Sequence, residues 1–420
     1  MTGRPFEKVK TVKLSKLFAI GRNRRLLFLA LSGASLLIAG GSIAAASVGG
    51  TNTHPFSHVG KRLATSIAAW TVPANESNAP TVPIPGGAST GDGNFNSVTC
   101  STFSNCVAVG GDNNLVGVAA TSSDGGSSWS QSTVSSGEPE LNAVTCQSSS
   151  DCVAVGEGAA VTSSDGGATW TTNAIPTPNT TLLGVSCPSA STCVSVGVSP
   201  GNDGPYGGQL LFSSDGGATW TVPTLPNDVG ALGSVDCPSA TFCVAVGAQI
   251  VVSNDGGQSW SQQFVNGGTG VLRSVSCSSA SNCVAIGANP LGATVPASAA
   301  FEVVTTDGGT TWKSVATPSG SWSLSAISCS NGVDCTVGGL SFGSDPAPAW
   351  SSTDGGMTWS GENLTSGVSA ISSLTCQSAS SCVLVGLHGS QPISGSSQSG
   401  SQWSFSPVSS VIGAQSAGSL

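Results

Sequence analysis

The cysteines are the most regularly spaced residues in the chain, and cysteine can form disulfides or bind a metal. All 14 fall into seven pairs in which five residues separate the partners. The three histidines do not join this pattern, which argues against zinc. Even, fully paired cysteines in an exported chain predict seven disulfides and no metal site. The expected pairs are Cys100–Cys106, Cys146–Cys152, Cys187–Cys193, Cys237–Cys243, Cys277–Cys283, Cys329–Cys335 and Cys376–Cys382.

A second motif, Ser/Thr-x-Asp-Gly-Gly-x-x-Trp, follows the cysteine pairs. An aspartate in a tight turn can accept hydrogen bonds from nearby backbone N–H groups, and glycine can take a positive φ. We therefore assign these carboxylates a structural role. In the seventh copy, Gln398 stands at the aspartate position. The intact copies contain Asp124, Asp165, Asp215, Asp255, Asp307 and Asp354.

Acids outside this motif could support hydrolysis. A generic glycosidase needs only two well-placed carboxylates, and no spacing in this chain selects a pair. The acids that we place in variable loops are Asp112, Glu157, Asp203, Glu302 and Asp345. The pattern G-x-S-x-G occurs at 87–91 and 339–343, but without the strand and helix that a nucleophilic serine needs. Only His388 lies within the repeats as a base, so a serine hydrolase is disfavoured.

Charge is scarce and unevenly distributed. Charged residues make up 8% of the chain, against about 25% in an average protein. Eight of the 12 basic residues lie in the first 25 positions. Beyond residue 50, four basic and 20 acidic residues give a formal charge of −16. This part should bind neither nucleic acid nor anionic lipid headgroups, because both require clustered Lys and Arg.

The N-terminal region has the pattern of an export signal. A basic segment at 1–25 precedes an uncharged, largely apolar run at 26–48, which is long enough to span a bilayer. We favour an uncleaved transmembrane helix; the alternative is a signal peptide cleaved near Ala44-Ala45-Ala46. Both place the rest of the chain outside the cytoplasm, anchored or secreted. Residues 49–93 are typical of a flexible linker, in which 67–73 could supply an edge strand.

The two motifs together define seven repeats. The first cysteines of successive pairs are 40–52 residues apart, and each intact-motif Trp precedes the next pair by 17 residues. In the repeat at 141–175, four short β-rich segments alternate with turns and show no helical periodicity. This pattern predicts an all-β, seven-bladed β-propeller of four-stranded blades at 94–411, with a tail at 412–420. A β-solenoid or an open array of β modules remains the alternative.

The Ser-x-Asp-Gly-Gly-x-x-Trp motif resembles the Asp-box (BNR) repeat. The preceding Cys-Val-Ala-Val-Gly segment resembles the blades of photosystem II stability/assembly-factor-like propellers, and sialidases also carry Asp boxes. The resemblance implies the fold, and it implies structural turns for the aspartates. A sialidase would need an arginine triad and a tyrosine nucleophile. The repeats contain one arginine, Arg273, and one tyrosine, Tyr206, so an arginine triad cannot form and sialidase activity is excluded.

The expected strand order places length variation on one face of the propeller. Turns between strands 1 and 2 and between strands 3 and 4 share one face, and the 2–3 loops share the other. All variation falls in the 2–3 loops, the longest of which are at 198–209, 288–300 and 339–349. Variable loops on a rigid scaffold are the usual place for binding. The candidate ligand residues there are Asp203, Tyr206, Asn289, Phe342, Asp345 and Trp350.

Arg273 lies in a predicted first strand, where it would be either an ion-pair partner or a ligand contact facing the channel. The sequence thus predicts an exported, non-catalytic propeller without cofactor or metal. It would bind a protein or glycan at the cell envelope through its variable-loop face, and the membrane through 26–48 if that segment is retained. The alternative is a glycoside hydrolase that uses a pair of loop carboxylates.

Overall fold

The computed structural model of the chain describes residues 93–408, except 113, 136, 201–206, 267–269, 289–299, 319–320, 322, 341–348, 363, 365–366 and 398–401. The predicted basic segment, apolar helix and candidate strand at 67–73 lie outside the described residues, as does the tail. The described residues contain no helix with the length and hydropathy to cross a membrane.

The first four blades cover residues 94–263. Blade 1 contains β1 (Asn94–Cys100), β2 (Cys106–Gly111), β3 (Gly117–Ser122) and β4 (Ser130–Gln131). Blade 2 contains β5 (Leu141–Cys146), β6 (Cys152–Gly156), β7 (Ala160–Ser163) and β8 (Thr171–Asn173). Blade 3 contains β9 (Thr181–Ser186), β10 (Cys193–Ser199) and β11 (Gly207–Ser213). Blade 4 contains β12 (Leu232–Asp236), β13 (Cys243–Gly247), β14 (Ile250–Ser253) and β15 (Ser261–Gln263).

The last three blades complete the ring. Blade 5 contains β16 (Val265–Asn266), β17 (Val271–Cys277), β18 (Cys283–Ala288), β19 (Ala300–Thr305) and β20 (Trp312–Ser314). Blade 6 contains β21 (Leu324–Ser330), β22 (Asp334–Gly339), β23 (Ala349–Ser352) and β24 (Ser360–Gly361). Blade 7 contains β25 (Val368–Ser378), β26 (Ser381–His388), β27 (Gln391–Ser397) and β28 (Trp403–Pro407).

Each blade is an antiparallel meander, which confirms the predicted seven-bladed propeller. Two blades depart from the four-stranded pattern. In blade 3, the fourth strand is reduced to a single pairing of Phe212 with Thr221. In blade 5, β16 adds a fifth strand by pairing parallel to β20. The strand that ends at the first cysteine is the inner strand of each blade, which is β17 in blade 5. The last strand of the meander lies towards the outer rim, and in blade 5 β16 lies outside it.

Packing between blades explains the apolar second strands. All five residues of β6, Cys-Val-Ala-Val-Gly, are buried. Val153 and Val155 pack against blade 3, while Cys152 and Ala154 pack against blade 1. A strand covered on both faces carries a continuous apolar run instead of an alternating one. The core is therefore a series of seams, each formed by facing sheets of adjacent blades.

Between blades 7 and 1, the described strands close the ring with each blade built from consecutive strands. The Val98 N–H donates to Ser373 Oγ at 3.2 Å, and Gln377 Nε2 donates to the Cys100 carbonyl at 2.5 Å. Farther out, Ser394 Oγ donates to the Gly126 carbonyl at 3.1 Å. Side-chain to backbone hydrogen bonds thus join the two ends of the described chain.

The seven predicted disulfides are present, and the described chain has no free cysteine. Each joins the first strand of a blade to its second; Cys146 and Cys152 face each other directly in the ladder. Each disulfide therefore staples the first hairpin of its blade. Seven disulfides indicate an oxidising compartment, such as the extracellular space.

Candidate binding face

The motif aspartates form one repeated turn. In blade 2, Asp165 Oδ1 accepts from Ser163 Oγ at 2.8 Å and from the Thr169 N–H at 2.9 Å. Asp165 Oδ2 accepts from Thr169 Oγ1 at 2.6 Å. The Gly166 N–H donates to the Ser150 carbonyl in the disulfide loop at 2.7 Å. The turn and the disulfide loop therefore lie together at one end of the blade, which we call the turn face.

These hydrogen bonds keep the exposed turn carboxylates ionised. The Thr169 hydroxyl and N–H hold the pKa of Asp165 below its usual range, against a smaller opposing effect of burial. The pKa of the other five motif aspartates is also lowered. Both oxygens are engaged within the turn, which matches the chemistry of a structural carboxylate.

The second glycine of each turn couples the turn face to the neighbouring blade. Gly167 has φ +89°, and a Cβ atom there would come within 2.8 Å of the Val107 side chain in blade 1. Gly126, Gly217 and Gly257 lie in the same way against a valine of the preceding blade. Both the backbone conformation and the space therefore require glycine.

At the inner wall, every first strand has a β-bulge four residues before its cysteine. The bulge residues are Asn96, Asn142, Leu183, Gly233, Arg273, Ser325 and Ser372. A bulge adds one residue and redirects its side chain. Five residue types occupy these seven positions, whereas the apolar positions around them are nearly constant. The inner wall thus has a constant framework with variable side chains.

Polar side chains satisfy the free edge of each inner strand. Asn96 Nδ2 donates to the Leu141 carbonyl at 3.0 Å, and Asn142 Nδ2 donates to the Leu182 carbonyl at 2.9 Å. The Val144 N–H donates to Ser97 Oγ at 3.2 Å. The outward groups of an edge strand require partners, and here the preceding blade supplies them.

A third set of these hydrogen bonds ends at the first cysteine of a blade. The Cys237 N–H donates to Ser186 Oγ at 3.0 Å, and the Cys329 N–H donates to Ser276 Oγ at 2.9 Å. Blade 4 has an acid at this position: the Cys277 N–H donates to Asp236 Oδ2 at 2.6 Å. Burial raises the pKa of Asp236 to about 6, although two backbone N–H groups oppose the change.

Arg273 occupies the bulge of blade 5. Its Nη1 donates to Ser323 Oγ at the start of the inner strand of blade 6. Burial lowers the pKa of the guanidinium to about 10, so it remains charged at neutral pH. The structure therefore gives Arg273 a contact between blades at the inner wall, and its proposed contact with a ligand stays a prediction.

Opposite the turn face is the loop face, where three acids of blades 1 and 2 gather. Asp112 follows β2, Glu140 precedes β5 and Glu157 follows β6. Glu140 is 8% exposed, and its Oε1 accepts from Asn96 Nδ2 at 2.8 Å. Burial raises the pKa of Glu140, the Asn96 hydrogen bond opposes this, and the charges of Glu157 and Asp112 raise it further. Within the described residues, Glu140 Oε2 is buried without a hydrogen-bond partner.

The other predicted site residues have different outcomes. Trp350 is half-buried, pairs with Val337 in the sheet and packs against the core between blades 5 and 6. The placement of Glu302 in a variable loop was wrong: it lies in β19 and is fully buried. The candidates outside the described residues are Asp203, Tyr206, Asn289, Phe342 and Asp345.

Sequence reasoning missed Glu140 and the inner-wall hydrogen bonds. The signal was available, because aligning the seven segments before the first cysteines places small polar residues in the same columns. Glu140 stands six residues before its cysteine, where Asn94 and Ser323 stand in blades 1 and 6. What that alignment does not give is which backbone group each side chain meets, since the partners belong to the next blade.

Comparison with known proteins supports the fold. No protein-family model and no curated protein matches the chain. Among solved structures, the GH74 xyloglucanase from Xanthomonas campestris has 13% identity and a TM-score of 0.55 over 75% of this chain and 54% of that one. A streptogramin B lyase has 11% identity and a TM-score of 0.50 over 70% and 90% of the two chains.

YCF48 bound to a D1 peptide has 18% identity and a TM-score of 0.47 over 65% of this chain and 81% of that one. At this level of identity, the likenesses to the xyloglucanase and the lyase show a shared propeller fold and nothing about ligand or reaction. With a TM-score of 0.47, the similarity to YCF48 supports no conclusion about this chain.

Proposed function

We propose that this protein is an exported, non-catalytic β-propeller that binds a protein or glycan partner through its loop face. The observation that carries the proposal is the contrast between the two faces. On the turn face, the motif carboxylates are saturated by hydrogen bonds within their own turns. On the loop face, Asp112, Glu140 and Glu157 gather beside the Asn96 amide, and Arg273 lies at the inner wall of another blade.

The finer parts of the proposal rest on the sequence. We interpret the repeats as Asp boxes, which the common hydrogen-bond pattern of the six turns supports. We interpret 26–48 as an anchor that holds the propeller outside the cytoplasm, and we place ligand contacts at Asp203, Tyr206, Asn289, Phe342, Asp345, Trp350 and Arg273.

The test uses the full chain with a glycan array and a pull-down from cell-envelope extract. Glu157→Gln removes one charge from the loop face, and Asp151→Asn removes one from the disulfide loop at the other end of the same blade. We expect Glu157→Gln to weaken binding of the recovered partner at least tenfold and Asp151→Asn to leave it unchanged. Equal effects of both variants, or robust hydrolysis of the glycans, would contradict the proposal.

A second candidate function follows from Glu140. A carboxyl group with a raised pKa near two other carboxylates has the properties of a general acid with a partner base, as in glycoside hydrolases. This candidate predicts hydrolysis of a glycan substrate that is lost in Glu140→Gln and retained in Asp165→Asn. Activity that survives Glu140→Gln, or no activity on any glycan tested, would exclude it.

A further inference from the structure

One buried acid lies in a seam between blades and has no part in the proposed binding. Glu302 in β19 is fully buried and faces blade 6. It stands five residues before the motif aspartate of its blade. The other six blades have buried apolar residues at this position: Ala119, Ala160, Leu210, Ile250, Ala349 and Ile393. Blade 5 alone has an ionisable group there.

The carboxyl group of Glu302 changes how the neighbouring turn is held. Trp359 Nε1 of blade 6 donates to Glu302 Oε2 at 3.0 Å and approaches Oε1 at 3.2 Å. In three other blades, the equivalent indole donates to the second glycine of its own turn, as Trp170 Nε1 does to the Gly167 carbonyl at 3.0 Å. The indole of blade 6 is thus tied across the seam to blade 5.

The surroundings of Glu302 are apolar. The seam core around it includes Val284, Ile286, Val304 and Val337. The charged residues on the elements packed there are Lys313 on β20, Asp334 at the start of β22 and Asp354 in the turn of blade 6. Of these, only Asp354 acts on the Glu302 carboxyl, and its charge is negative. Burial is the main cause that raises the pKa of Glu302 to about 8; the Trp359 hydrogen bond opposes it and Asp354 adds to it.

A cavity lies beside the turn that contacts this carboxyl. It has a volume of about 130 Å³, opens between blades 5 and 6 on the turn face, and is lined in part by Val284, Asp354, Gly355 and Met357. Gly356, between Gly355 and Met357 in this turn, lies so close to Glu302 that a Cβ atom there would be 3.1 Å from Oε1. Glu302 thus lies directly behind the turn that lines the cavity.

We propose that Glu302 makes the seam between blades 5 and 6 a proton-controlled opening point of the ring. The protonated carboxyl accepts the Trp359 indole and leaves the apolar seam closed. When the carboxyl loses its proton to water, an uncompensated charge remains among apolar side chains. Opening the seam lets water solvate that charge, so the ionised form favours the open state.

The direction of the pH dependence follows from the linkage between proton binding and closure of the seam. The pKa of Glu302 is about 8 in the closed seam, and its ordinary value in water is 4.5. A group whose pKa is raised on closure contributes full stability below pH 4.5 and loses that contribution as pH rises towards 8. Between these values the equilibrium constant for opening rises about tenfold per pH unit, and above them it levels off.

The experiment is hydrogen exchange of the full chain at pH 5, 6, 7, 8 and 9, with protection factors corrected for the intrinsic exchange rate at each pH. The probes are the backbone N–H groups of Gly356 and Thr358 in the turn of blade 6. The internal control is the equivalent turn of blade 3, at Gly217 and Thr219, which packs against blade 2, where Ala160 stands at the position of Glu302. Glu302→Gln keeps an acceptor for Trp359, and Glu302→Ile reproduces blade 4.

We expect protection at Gly356 and Thr358 to fall about tenfold per pH unit up to pH 8 in the natural chain, and to be independent of pH in both variants. Protection at Gly217 and Thr219 should be independent of pH in all three proteins. Unchanged protection at Gly356 in the natural chain, or an equal slope in Glu302→Gln, would overturn the proposal. To separate a general loss of stability from a loss of pH dependence, each variant is first compared with the natural chain by thermal unfolding at pH 5.

Discussion

The aspartates of the turn face and the acids between the blades are similar groups in opposite surroundings. Asp165 is exposed and is held by a hydroxyl and an N–H of its own turn, so its pKa is lowered. Asp236 and Glu302 lie between blades, where burial raises the pKa to about 6 and about 8. A carboxylate thus stabilises this fold when it stays exposed and accepts hydrogen bonds from its own turn, and it destabilises the fold when it is buried between blades.

The comparison also separates two kinds of stability. The turns are local, because their donors lie within four residues of the aspartate. The seams are long-range, since their partners come from other blades, 48 and 53 residues away in the contacts of Cys376 and Cys329. Substitutions in the turns and in the seams should therefore differ in their effect on stability.

The largest effect is expected where a turn meets a seam. Gly167→Ala forces a positive φ on alanine and places Cβ against Val107, so we expect a loss of about 2–4 kcal/mol of unfolding free energy. Gly137→Ala is the control, because Gly137 has φ +84° and nothing within 4 Å. It should lose only about 1 kcal/mol. Urea unfolding measures both; equal losses would mean that the turn and the seam are not coupled.

The next effect concerns Asp236. Its folded pKa is raised, so its contribution to stability is full below pH 3.8 and is lost as pH rises through about 6. Asp236→Ser introduces the residue that blades 3, 5 and 6 carry at this position. Between pH 4 and pH 8 the variant should gain about 2 kcal/mol relative to the natural chain. A constant difference across that range, measured by urea unfolding, would show that the seam does not raise this pKa.

The smallest effect is expected at an exposed turn. Asp165→Ala removes the acceptor of three hydrogen bonds, so the unfolding free energy should fall by about 1 kcal/mol at pH 7. Because the folded pKa of Asp165 is lowered, its contribution is present above the unfolded pKa and is lost as pH falls through the folded value. In thermal unfolding, the difference in stability between Asp165→Ala and the natural chain should be smaller at pH 2.5 than at pH 7. Asp151→Asn serves as the charge-matched control.

Much of the architecture could be predicted from the sequence, and parts of the candidate site could not. The repeat of 141–175 predicts strands at 141–146, 152–155, 160–163 and 169–174, and the structure has β5, β6, β7 and β8 within one or two residues of those segments. Glu302 shows where prediction from the sequence fails. Its sequence neighbourhood resembles the end of a long loop, but pairing with Ile286 in β18 draws it into the sheet and into the seam. Glu140 was missed for the same reason, since its neighbours Asp112 and Asn96 belong to another blade.

The sequence by itself determined the number of blades, the disulfides and the Asp-Gly-Gly turns. Each depends on residues a few positions apart, and the spacing recurs seven times for the cysteines and six times for the turns. Only the tertiary structure decided which acids are buried, which side chains satisfy the free inner strand edges, and where the ring closes. Those outcomes depend on two sheets meeting face to face, and the contacts at such a seam join residues whose distance in sequence says nothing about their distance in space. The environment of a carboxylate, and with it its pKa, is set there.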